Sequence, residues 1–144
     1  MGRRTFGAAL ALGVALLLGH AGERALARPP ERDLSGAWEL AGWNMGADRA
    51  GPPSYRGKIL AERKDKDTYV VTWEVDGKVV NRGVGIYDPR TDVFAGAYAI
   101  RTREGSSPGV AVWRISADGK VMDCVGTFMD KVGDVAWEEW RRPD

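Results

Sequence analysis

From residue 34 onward the chain is a succession of short runs in which large apolar and polar residues alternate, and no stretch keeps a helical period. The run 68–75 is the clearest. Tyr69, Val71, Trp73 and Val75 alternate with Val70, Thr72 and Glu74, so an extended chain there shows one large apolar face and one mixed face. Asp76-Gly77 follows, a pair that tolerates the positive φ of a tight hairpin turn, and predicts a partner strand over 78–87. The same pattern predicts strands over 35–43, 55–63, 93–101, 110–116, 121–128 and 135–141, giving eight in sequence. Turn chemistry separates them: 64–67, Asp88-Pro89-Arg90-Thr91-Asp92, Asp118-Gly119 and Gly133-Asp134. Two connections stand out as long and rich in glycine and proline, 46–53 and 105–109.

Eight antiparallel strands with short links can close on themselves, which removes the unpaired edges that invite aggregation. The predicted fold is therefore all-β, an eight-stranded antiparallel up-and-down meander barrel, with a two-sheet β-sandwich as the alternative. Glycines inside strand patterns, at Gly57, Gly83, Gly85, Gly96 and Gly126, suit tightly coiled strands. The predicted core comprises Trp38, Leu40, Ile59, Tyr69, Val71, Trp73, Val84, Ile86, Phe128 and Trp140.

The first 27 residues follow a different logic. Arg3 and Arg4 precede an apolar run from Phe6 to Leu18, and the segment ends on Ala25-Leu26-Ala27, small residues at the positions a signal peptidase reads. The apolar run is well short of the roughly 20 residues that span a bilayer core. The expected domain plan is a signal peptide over 1–27, a flexible polar lead over 28–33 and one barrel over 34–144. Arg3-Arg4-Thr5-Phe6 resembles a twin-arginine export signal, so the expected address is exported, periplasmic or extracellular.

Cleavage after Ala27 changes the charge and the chemistry available. The chain's 21 basic residues fall to 18 and its 20 acidic residues to 19, so the net charge moves from +1 to about −1. A near-neutral surface with mixed signs offers no field for nucleic acid, and no integral membrane segment remains. The only histidine, His20, leaves with the signal, and with it any Ser-His-Asp, Cys-His or histidine-ligated zinc site. Cys124 is the only cysteine, so no internal disulfide forms, and its alternation with Met122, Gly126 and Phe128 reads as a small core residue. Glu138 and Glu139 fall on opposite faces of a strand and cannot act as an acid/base pair. Neither an enzyme, a cofactor nor a metal is expected.

Leu34-Ser35-Gly36-Ala37-Trp38 carries a Gly-x-Trp at the start of the first strand, which resembles the opening of the calycin barrels, the lipocalins, avidins and their relatives. The resemblance implies that Trp38 plugs one barrel end with an arginine of the last strand across it, either Arg141 or Arg142. Residues 28–38 also resemble the trunk and first strand of bacterial inhibitors of secreted metalloproteases, which implies an alternative role as a protease inhibitor acting through the lead. Those inhibitors carry an internal disulfide, which one cysteine cannot make.

Six tryptophans fall after residue 27. Trp38, Trp73 and Trp113 are expected to fill the core, because an eight-stranded barrel is only just wide enough for side chains. Trp43 and Tyr98 are the expected ligand contacts, at strand ends near the long connections. The expected function is a non-catalytic exported binding module for an unknown partner, a small apolar or sugar-like molecule in the barrel mouth or a protein.

Overall fold

The computed structural model describes residues 31–103 and 105–144. The expected signal peptide over 1–27, with His20, and residues 28–30 of the expected lead lie outside the described residues. Eight strands follow one another: β1 (Gly36–Trp43), β2 (Tyr55–Asp65), β3 (Thr68–Val75), β4 (Lys78–Asp88), β5 (Val93–Thr102), β6 (Gly105–Ile115), β7 (Val121–Phe128) and β8 (Ala136–Arg141). Each pairs antiparallel with the next, and β8 returns to β1 with Leu40 opposite Trp140, so the sheet is a closed up-and-down barrel. A single turn of 3-10 helix (Met129–Lys131) precedes β8. The sandwich alternative is excluded by the β1–β8 pairing. No helix among the described residues is long and apolar enough to cross a membrane.

The turns obey the residues that build them. Asp76 and Gly77 both take positive φ, 52° and 71°, as a two-residue hairpin between twisted strands requires. Connections after β2, β4 and β6 share one end with the residues entering β1. Those after β1, β3, β5 and β7 share the other.

The entry end is closed by the chain itself. Leu34, Trp38, Tyr69, Tyr87 and Phe94 are buried there. Trp38 donates its indole N–H to the Leu34 carbonyl at 3.1 Å, and the Arg142 guanidinium lies 3.9 Å from the Trp38 ring centroid, donating to the carbonyls of Ser35 and Asp33. Of the two arginines implied by the calycin resemblance, Arg142 holds this place. Arg141 faces outward and pairs with Glu139.

The last residues of the expected lead engage the barrel end. Arg32 forks onto Asp92 with both contacts at 2.8 Å, donates to the Ala117 carbonyl at 3.0 Å, and offers its own carbonyl to Arg63. Tyr87 donates to the same Asp92 carboxylate at 2.9 Å. Bidentate arginine–carboxylate geometry at low exposure, 12% and 17% for the two side chains, ties Arg32 to the barrel end.

The core follows the predicted list except on β4 and β7. Val84 and Ile86 are 61% and 62% exposed, because β4 turns Gly83, Gly85 and Tyr87 inward instead. The reason is steric. A Cβ on Gly85 would lie 2.0 Å from the Phe94 ring, so that glycine makes room for an aromatic ring reaching across from β5. Phe128 faces inward yet is only half-buried, since it stands at the open end. The displaced aliphatics join Val110 and Val112 on the outer wall, a band of exposed apolar side chains with Ala95 and Ala97 between them.

Candidate functional site

Inward-facing rings run through the barrel in one chain of contacts. Tyr69 meets Phe94 edge-on at 5.8 Å, Phe94 meets Trp113 at 5.2 Å, and Trp113 meets Trp140 at 4.9 Å. Trp73 touches Trp140, Trp113 and Tyr98 at 5.6, 6.3 and 5.8 Å, and Tyr98 reaches Phe128 at 5.4 Å. The rings fill the entry end but not the opposite one. There they wall a cavity of about 540 Å³, between Trp113 and Cys124 at depth and Asn44, Met45 and Lys131 at the rim.

Glu138 of β8 occupies this cavity's wall. Strand alternation sends it inward with Trp140, and sends Trp137 and Glu139 outward. Its Oε1 accepts a hydrogen bond from the Tyr55 hydroxyl at 2.9 Å. Its Oε2 accepts two more, from the indole N–H of Trp140 at 2.9 Å and of Trp73 at 3.1 Å. Indole N–H groups only donate, so the arrangement suits an ionised carboxylate. Burial outweighs these three bonds and holds the Glu138 carboxyl above its ordinary value of 4.5. Among the described residues no ion pair reaches it.

The neighbouring groups are pushed the same way. Burial first, and the Glu138 charge second, raise the Tyr55 hydroxyl far above its usual range. Tyr98 is raised by burial first and by the nearby Glu138 charge as well. Burial likewise pushes the Cys124 thiol well up, which keeps it protonated and poor as a nucleophile. Two polar atoms on the wall have no partner among the described residues although buried: Asn81 Oδ1 and Trp113 Nε1. A register shift between β3 and β4 skips Val80, and this bulge brings the consecutive residues Val80 and Asn81 both to the cavity.

The expected contacts divide. Tyr98 is on the cavity wall. Trp43 is not, because Trp38, Leu40 and Gly42 claim the inward positions of β1 and parity turns Trp43 outward. It is nonetheless 8% exposed, covered by residues 44–54, which fold back over the outside of the barrel. Its indole donates to the Gly51 carbonyl at 2.9 Å, Arg49 lies over the Trp137 ring at 5.1 Å, and Arg49 also pairs with Asp123. The 46–53 connection thus clasps the outer wall, and the two residues before it, Asn44 and Met45, reach the rim. The second expected loop, 105–109, is strand: β6 begins at Gly105, paired with Thr102. Ser107 there is buried and donates to Asp130 at 2.8 Å, tying the 3-10 turn to the rim. Trp38 is core as expected, whereas Trp73 and Trp113 serve both core and cavity wall.

Sequence reasoning missed Glu138 and Tyr55. The signal for Glu138 was present, since it shares its face with Trp140, a residue already assigned to the core. Tyr55 shares the inward parity of Gly57 and Ile59 on β2. No protein-family model and no curated protein matches this sequence. Among solved structures the chain is similar to one described as a redesigned beta barrel, with a TM-score of 0.58 and 16% identity, over 77% of this chain and 92% of that one. At that identity the likeness bears on the fold alone, and the fold the two chains share is a β-barrel.

Proposed function

We propose that the protein is a non-catalytic, exported binding module of calycin type, whose small-molecule ligand occupies the cup at the barrel end opposite the Trp38 plug. The observation that carries this reading is the cup itself: about 540 Å³ walled by Tyr55, Trp73, Tyr98, Trp113 and Phe128, in a barrel whose other end is packed solid. The Gly36–Trp38 opening with Arg142 stacked on the indole supports the calycin assignment. Arg32 and Asp33 are engaged by the barrel, which argues against a lead that reaches out to inhibit a protease. Export rests on the composition of residues 1–27, and the intact mass of secreted material reads it: the expected species begins at Arg28.

Binding is tested by tryptophan fluorescence across a panel of lipids, sugars and small aromatic compounds, using the parent and Ala136→Trp. Ala136 lines the cup near its rim, so an indole there fills the entrance. A compound that shifts the parent's emission saturably and leaves the variant's unchanged supports the cup. Equal responses in both proteins, or none in the parent, contradict it.

A further inference from the structure

Resting on the reading of the cup as a binding site, we propose that its ligand is a small organic ammonium ion with an aromatic or apolar body, whose charge is met by Glu138. Three independent features of the wall converge on this chemistry. The first is the carboxylate. All three groups bonded to Glu138 are neutral donors, and no arginine or lysine among the described residues forms an ion pair with it. A buried charge without a counterion is the costly arrangement that a cationic partner relieves. An ionised carboxylate offers about four acceptor sites, of which the tyrosine and two indoles use three, so Oε1 retains one for an incoming N–H.

The second feature is the ring wall. Trp73, Trp113, Tyr98, Tyr55 and Phe128 surround the cup, and their negative faces favour a cation while their area favours an apolar body. The third is the pair of buried polar atoms with no partner among the described residues. Asn81 Oδ1 can accept from an ammonium N–H, and Trp113 Nε1 can donate to an oxygen carried by the ligand. A sugar would satisfy the rings and the polar atoms but gives Glu138 no counter-charge, and an aliphatic chain would leave all three polar groups unmatched. Lys131 stands at the rim, exposed, and makes no ion pair with Glu138 among the described residues.

The test compares phenethylamine, charged at neutral pH, with its neutral analogue 2-phenylethanol, each titrated by quenching of tryptophan fluorescence. In the parent the amine should bind more tightly than the alcohol. In Glu138→Gln, which keeps an acceptor for the two indoles and removes the charge, amine affinity should fall at least ~10-fold, the scale of a lost charge-assisted bond, while alcohol affinity changes less than about 3-fold. The parent comparison stands whether or not the variant folds well. Equal affinity for the two compounds overturns the ammonium assignment and leaves the cup reading intact, as does an amine affinity that Glu138→Gln does not change. If neither compound binds, this ligand class is wrong. The cup reading fails separately, and only if the wider panel with Ala136→Trp also shows no entrance-dependent binding.

Discussion

Glu138→Leu should lose on the order of 3 kcal/mol of stability and melt roughly 10 °C or more below the parent, whereas Glu138→Gln should melt at or above it. Leucine has nearly the volume of glutamate, so the difference isolates polarity. With leucine in place, the indole N–H of Trp140 and of Trp73 and the Tyr55 hydroxyl lose their acceptor together, and Trp140 is only 1% exposed. Each stranded donor costs about 1–3 kcal/mol, partly offset because the buried charge is gone. Glutamine supplies an amide oxygen to the two indoles and an amide N–H toward Tyr55, without the charge. Because burial raises the folded-state value of Glu138 above its ordinary 4.5, the stabilising share of this group is fully present below that ordinary value and is lost as pH rises through the raised one. Glu138→Gln should therefore gain on the parent more at pH 7 than at pH 4. Thermal melts of the three proteins at both pH values check this, and a leucine variant as stable as the parent would contradict it.

Trp38→Ala should cost about 3–5 kcal/mol, a large part of the total stability of a domain this size. The indole is 1% exposed and closes the entry end, so its removal leaves a void that neighbours on strands of a closed barrel cannot collapse to fill. It also strands the Leu34 carbonyl and takes the ring from under Arg142, whose guanidinium loses its cation–π contact. Arg142→Lys tests the smaller share: lysine keeps the charge but not the planar stack or the two-carbonyl fork, and about 1 kcal/mol should be lost. Urea denaturation reads both. A loss below about 1 kcal/mol for Trp38→Ala would mean that the plug is not a packing element.

The strand pattern was legible because period-two alternation and turn residues agree along nearly the whole barrel. Asp76-Gly77 forms the two-residue turn that its composition demands, and β3 and β7 begin and end where the alternation does. Composition misled at two places. Gly105-Ser106-Ser107-Pro108-Gly109 reads as loop, yet it pairs with β5, and Pro108 faces outward where its ring meets no inward neighbour. Val84 and Ile86 read as the buried face of β4, but the barrel gives that face to glycines beneath large rings from β5, a choice that no single strand's pattern reveals.

The site was half legible. Tyr98 follows from its alternation with Phe94 on β5. Trp43 was placed by its nearness to a long loop when parity with Trp38 and Leu40 already turned it outward. Parity with Trp140 would likewise have brought Glu138 inside. What parity cannot supply is the third dimension, namely that Tyr55 of β2 and Trp73 of β3 converge on a carboxylate of β8 across the barrel.

The six tryptophans offer the most direct measurement of the central claim, because each indole N–H gives its own resonance in a nitrogen-15 correlation spectrum. Two line the cup, Trp73 and Trp113, a third, Trp140, donates to the cup's Glu138, and three belong to the plug and outer wall, Trp38, Trp43 and Trp137. Titration with phenethylamine and with 2-phenylethanol should move the first three and leave the second three in place. Movement centred on Trp43 and Trp137, or no movement at any indole across the wider panel of lipids, sugars and small aromatic compounds, would contradict the account.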